Sequence, residues 1–263
     1  MAQGDVDIWL SFALQQIAAE SYLDGIDRSN PQQVIGQLQL GNNNITGDDP
    51  TAPVLPGKTR MTTVQAEQFV QRYQIVDHHV NDATGFSATL IKDLNDPTGK
   101  TFTLSFRSSE YQNQVQGGDW ERDGAAAADG EIRRYGFAFA QLVSMESYYQ
   151  ELKADPAKLP AGAVLNVTGY SLGGHLATVF TELHEAEVAH TYTFNGAGRG
   201  TILEQGQVGQ PEVQSIRRML QDLEARIQTF DPNGDLLRSG SSGNVYQDNR
   251  YQDALIATRQ TFT

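Results

Sequence analysis

Between residues 167 and 180 the chain reads VTGYSLGGHLATVF, with Ser171 two positions after Gly169 and two before Gly173. A hydroxyl framed in this way suits nucleophilic attack on a carbonyl. Gly-x-Ser-x-Gly between a strand and a helix makes a sharp turn, a nucleophile elbow, that thrusts the serine oxygen into the open. A side chain at 169 or 173 would strike the neighbouring strand or helix. The amide of Leu172, at the start of the following helix, has no intrahelical partner and can donate to an oxyanion on the attacked carbonyl. A serine in a glycine-rich turn can also simply cap a helix. The context favours the elbow: VLNV before it reads as a strand, and Leu172, Leu176, Val179, Phe180 and Leu183 share one helical face.

The elements that must position Ser171 can be read along the chain. VDIWLSFALQQIAAESYL has helical spacing of its apolar residues, and residues 24 to 61, rich in Asn, Gly, Asp and Pro, read as loop. TTVQAEQFVQRYQIV reads as a capped helix. GFSATLI and TFTLSFR read as an antiparallel hairpin joined by KDLNDPTGK. EIRRYGFAFAQLVSMESYYQELK reads as one long helix before the elbow unit. HTYTFNGAG then reads as a strand, PEVQSIRRMLQDLEA as a helix, and RIQTF as a strand delivering the loop DPNGDLL. This alternation predicts a single α/β domain over residues 1 to 263, with a mainly parallel central sheet and helices on both faces. Sites in such sheets form at the carboxyl ends of the strands.

Composition narrows the function. The formal charge of −13 disfavours nucleic acid and anionic membrane surfaces as partners. The absence of cysteine excludes disulfides, thiol catalysis and thiolate metal sites. The opening MAQGDVDIWL lacks the basic start and apolar run of a signal peptide, and no segment reaches the roughly 20 apolar residues of a transmembrane helix.

VTGYSLGGHLA, followed by TYTFNGAG and preceded by LSFRSSE and DWERD, resembles the class 3 lipases of the α/β-hydrolase fold, over about residues 86 to 237. The N-terminal helices and GFSATLI are more similar to the catalytic domains of large secreted bacterial lipases, whose downstream calcium-binding repeats are absent here. The resemblance implies hydrolysis of acylglycerol or phospholipid esters through an acyl-enzyme, by a Ser, Asp, His triad in that chain order. It implies a secreted protein without a cleavable N-terminal signal. Residue by residue, Ser171 matches the nucleophile, Leu172 one oxyanion amide and Ser109 the second donor. Ser108 stands where the family has glycine, a backbone position that glycine alone can find easy. Tyr170 fills the variable position of the elbow, often histidine. Two aspartates are candidates for the acid, Asp231 and Asp235. Asp235 is the choice, because GDLL matches the family's pattern of Asp before apolar positions better than FDPN does. The alternative for either is a turn aspartate bonded to its own backbone.

The histidine is where the pattern breaks, since residues 236 to 263 contain none. His190 begins its strand about 17 Å from the catalytic edge at about 3.3 Å per residue. His175 and His184 ride on the helix leaving the elbow and read as packing or surface residues. His78 and His79 precede GFSATLI, whose start lies beside the end of TFTLSFR, so either could approach the site out of family order. The other explanation is a fragment whose histidine lies beyond Thr263. Two classes therefore stand: a serine ester hydrolase, and a non-catalytic hydrolase-like binding domain lacking the base. The segment EYQNQVQGGDWERDGAAAADGEI occupies the family's lid position, with only Trp120 and an alanine run to face lipid. No organic cofactor is implied. Calcium could bind GNNNITGDD or DPNGD, although neither completes a ligand loop of known spacing.

Overall fold

The computed structural model describes residues 3–42, 58–114, 118–202 and 212–262. Among them five strands, β1 (Tyr73–His79), β2 (Ala88–Asp93), β3 (Thr101–Phe106), β4 (Val164–Tyr170) and β5 (Val188–Phe194), form one sheet in that order. β2 is antiparallel to both its neighbours, whereas β3, β4 and β5 are mutually parallel. Four strands thus run one way and β2 alone runs against them. The hairpin expected of GFSATLI and TFTLSFR is β2 and β3, paired from Ala88↔Phe106 to Lys92↔Phe102.

The helices are α1 (Gln3–Glu20), α2 (Pro31–Leu40), α3 (Thr63–Arg72), α4 (Trp120–Asp123), α5 (Ala128–Tyr135), α6 (Phe139–Ala154), α7 (Leu172–Leu183), α8 (Glu212–Phe230) and α9 (Asn249–Phe262). They cover both faces of the sheet. The larger core joins Leu104, Phe106, Leu165 and Val167 of the strands to Leu142, Leu176, Phe180 and Met219 of α6, α7 and α8. The smaller core, on the side of α2 and α3, gathers Ile75 and Ile91 with Leu38, Phe69 and Tyr73. Neighbours on β2 show the alternation directly, Leu90 belonging to the first core and Ile91 to the second. This mixed α/β arrangement places the strand, serine and helix unit on β4, one strand in from the β5 edge.

Four expectations need correction. Residues 31–40 are helical: Asn30 accepts from the Gln32 amide and Pro31 supplies a preset first turn. The helix of TTVQAEQFVQRYQIV stops at Arg72 and the chain continues as β1, because Tyr73 and Ile75 alternate into the core. The long helix divides at Gly136, which takes φ 86° in a left-handed cap and closes α5 before α6 begins. RIQTF is not a strand, since α8 runs unbroken to Phe230 and buries Ile227 on the same stripe as Leu220 and Leu223.

Candidate active site

Ser171 joins β4 to α7 with φ 51° and ψ −115°, one of two non-glycine residues at positive φ among those described. Its side chain makes no capping hydrogen bond, which removes the helix-cap alternative. Backbone contacts grip the turn: the Ser171 amide donates to Phe194 O (3.1 Å), and Ser171 O accepts from His175 and Ala197. The glycines are sterically required. A Cβ on Gly169 would lie 2.0 Å from Gly173 O, and one on Gly173 would lie 2.3 Å from Phe106 O. On Gly174 it would meet Gly196 Cα at 2.5 Å. The elbow is therefore wedged between the end of β3 and the loop after β5. Leu172 opens α7, so its amide is free of an intrahelical acceptor.

The loop after β3 is held just as firmly. Arg107 is buried and donates to Ala19 O and Ser21 O at the end of α1. Ser108 donates from its amide and its hydroxyl to the two oxygens of Glu20 (3.0 and 2.8 Å). The serine in place of glycine is thus accommodated, at negative φ. Burial pushes the Glu20 carboxyl up, against the opposing hydrogen bonds from Ser108 and the Arg107 charge. Ser109 donates to Asp129 of α5 at 3.1 Å, and burial raises that carboxyl too.

Neither acid candidate contacts Ser171. Asp231 is buried and accepts from the Asp235 and Leu236 amides, both at 2.9 Å, holding its own turn. Asp235 is exposed and pairs with Arg238 at 3.1 Å. Their loop docks beyond β1, where Leu236 O accepts from Ala83 and Ser239 Oγ accepts from the Val80 amide. With no strand to carry it, the loop lies on the β1 side of the sheet.

The histidines are engaged elsewhere. His78 Nδ1 lies 2.9 Å from Thr89 Oγ1 and its Nε2 is 3.2 Å from Asp24, off hydrogen-bonding geometry. Burial depresses its pKa to about 4. His79 packs on Phe86 and Tyr148 with Nε2 3.4 Å from Asp82. His175 Nε2 accepts from the Ala138 amide, which makes Nδ1 the donor to Gly198 O, and burial holds this ring also at about 4. His184 lies between Glu146 and Glu187, and His190 is exposed on β5. No described residue hydrogen bonds the Ser171 hydroxyl.

The segment in the lid position is tethered where it is described. Arg122 donates to Asp82 O, Ser241 O and Gly243 O. Three of its neighbours form a feature that sequence reading missed. Buried Glu110, Asp119 and Asp123 bring carboxylate oxygens within 4.8 Å of one another. Asp123 accepts from the Glu110 amide (2.8 Å) and from Gln141 (2.9 Å), while Asn81 donates to Glu110 Oε2 (2.8 Å). Glu110 Oε1, 3.8 Å from Arg107, and Asp119 Oδ2 are buried without a hydrogen bond. Desolvation drives both aspartates up, with further repulsion from Glu110. An all-oxygen group with spare acceptors could hold a hard divalent cation. The one sequence signal was the i, i+4 spacing of Asp119 and Asp123. Of the calcium segments named from sequence, DPNGD is engaged as described above, and GNNNITGDD lies outside the described residues after Asn42.

No family model matches the chain, and no curated protein matches it by sequence. Among solved structures it is similar to a lipase from Rhizopus microsporus var. chinensis, with 14% identity and a TM-score of 0.35 over 73% of this chain and 58% of that one. It is likewise similar to lipase II from Rhizopus niveus, with 15% identity and a TM-score of 0.35 over 74% of this chain and 64% of that one. The chain therefore covers less than two thirds of either lipase.

Proposed function

We propose that this domain is a serine carboxylic ester hydrolase, acting on acylglycerol or phospholipid esters through an acyl-enzyme on Ser171. The observation that carries this is the Ser171 backbone, held at φ 51° by glycines that tolerate no Cβ, with its hydroxyl unpartnered among the described residues. Strain of this kind costs about 1–3 kcal/mol and persists where the surroundings over-determine it. A cap or turn serine needs none of it. Attack by Oγ on the ester carbonyl, its proton passing to the triad histidine that this reading requires, forms the tetrahedral oxyanion, toward which the Leu172 amide and Ser109 supply donors. Collapse expels the alcohol, which takes that proton, and water then attacks the acyl-enzyme by the same relay to release the acid and restore the Ser171 hydroxyl. Asp235 remains the proposed acid partner of the triad histidine. Secretion belongs to the same proposal.

The placement of the histidines favours a second reading, a hydrolase-like binding domain. Without a base a serine hydroxyl is a weak nucleophile, although an oxyanion hole alone retains some catalysis. Intact mass after incubation with a fluorophosphonate separates the two. Rapid single labelling that vanishes in Ser171→Ala supports the hydrolase. A folded chain that stays unlabelled supports the binding domain.

A further inference from the structure

A cavity of about 300 Å³ opens beside the elbow, between α1 and the ends of β3, β4 and β5. Its two ends differ in chemistry because α1 crosses the sheet. Near its start, Trp9 meets the Phe194 ring edge-on (centroids 5.4 Å apart) and Phe12 stacks on Tyr192 at 4.0 Å, both on β5. Near its end, Gln16 donates to Phe106 O of β3 and Glu20 accepts from Ser108. The eleven helical steps from Trp9 to Glu20 advance about 16 Å, enough to pass from β5 over β4 to β3. Ala13, Tyr170 and Phe194 make the end toward β5 apolar, whereas Glu20, Ser108 and Lys58 make the end toward β3 polar. Ser171 follows β4, between them.

Among the described residues, Lys58 is the one cation lining this cavity, and no carboxylate lies within ion-pair distance of its ammonium. Burial lowers its pKa, with Glu110 and then Glu20 opposing that shift from a distance. The nearest acid in the cavity wall, Glu20, is already committed to Ser108 and Gln16. A partly desolvated ammonium gains most from an anion that arrives with the ligand. At about 30 Å³ per water-sized group, the volume holds about ten heavy atoms, the chain of one ligand and not three, with its head left at the mouth beside half-buried Lys58.

We infer that this cavity takes a single-chain acyl ester with an anionic, phosphate-type head, the chain against Ala13 and Phe194 and the head on Lys58. The inference rests on the ester-hydrolase reading for the word ester, and its test is independent of catalysis. The chain has two tryptophans, so a Ser171→Ala, Trp120→Phe protein reports from Trp9 alone, against the cavity wall. Fluorescence titration would compare decyl phosphate with 1-decanoylglycerol, each below its aggregation concentration. Decyl phosphate should bind at least tenfold more tightly. Lys58→Met should remove that tenfold preference and change decanoylglycerol binding by less than twofold, while Lys58→Arg retains it. Ala13→Phe should weaken both ligands, with circular dichroism confirming the fold of each variant.

Equal affinity for the two ligands, equal losses in Lys58→Met, or full binding in Ala13→Phe overturns the assignment. Displacement of decyl phosphate by inorganic phosphate at matching concentrations does so too, because it marks a free-phosphate site. Fluorophosphonate labelling with no phosphate preference would leave a hydrolase for uncharged esters. Preference without labelling would leave the cavity as a binding site.

Discussion

At Ser171, a φ of 51° with ψ −115° is a conformation that glycine adopts freely and serine does not. The elbow therefore sets stability against chemistry at one residue. Ser171→Gly should relieve the strain and, after the entropic cost of a glycine, stabilise the protein by about 1 kcal/mol. For a chain of this size that is about 2–4 °C in Tm. Ser171→Ala keeps the strain and should stay within about 1 °C of the parent. If calorimetry finds glycine no more stable than alanine, the backbone is not strained and the main support for a nucleophile is gone. Gly173→Ala should act the opposite way, because its methyl would lie 2.3 Å from Phe106 O. Overpacking against backbone costs about 3 kcal/mol.

At the scale of elements, α4 and the loop before it bring three carboxylates together with two buried oxygens lacking hydrogen bonds. A divalent cation would supply the missing partner. Calcium at a hundred times its dissociation constant adds about 2.7 kcal/mol, or about 5–10 °C in Tm. The comparison is with excess chelator, and Asp123→Asn, which can still accept from the Glu110 amide, should abolish the difference. An equal calcium shift in that variant would place the ion elsewhere. Such a cluster was hidden in the sequence because Glu110 lies nine residues before Asp119 and only the tertiary fold joins them. The elbow was legible for the opposite reason: strand, glycine spacing and helical stripe are all local, and β4 and α7 fall where those signals place them. RIQTF misled because Ile and Thr suit strands, yet no glycine or proline stops the helical stripe of α8 before Pro232. The helix break at Gly136 was passed over because apolar residues recur on both sides of it. For the histidines, sequence located the rings but not Thr89, Asp82, Gly198 or Glu146, the partners that occupy them.

Across the whole molecule, buried titratable groups set opposing responses to pH. Burial raises the carboxyls of Glu20, Asp129 and Glu131, the last to about 7 against the hydrogen bond from Tyr251 (2.6 Å). A carboxyl whose folded pKa lies above its unfolded one binds more protons in the native state. It therefore loses stability for the fold as pH rises from the ordinary carboxylate range to about 7. His78 and His175, at about 4 when folded, act in the other direction, destabilising the fold as pH falls from about 6.5 to 4. Below that, Asp24, Asp96 and Asp222, whose carboxyls are held low, surrender their stabilisation as they protonate. With Asp119, Asp123 and Glu224, six raised acids outnumber two histidines, and the self-repulsion of a net −13 grows on the alkaline side. The metal-free protein should thus be most stable near pH 5 to 6, with Tm several degrees lower at pH 8 and lower again at pH 3. Glu131→Gln, which keeps an acceptor for Tyr251, should flatten the decline between pH 5 and 8 and leave the acid limb unchanged. A Tm that climbs steadily from pH 5 to 8 in chelator would mean that these carboxyls are solvated, and that the packing of α5 against α9 around Glu131 is looser than described.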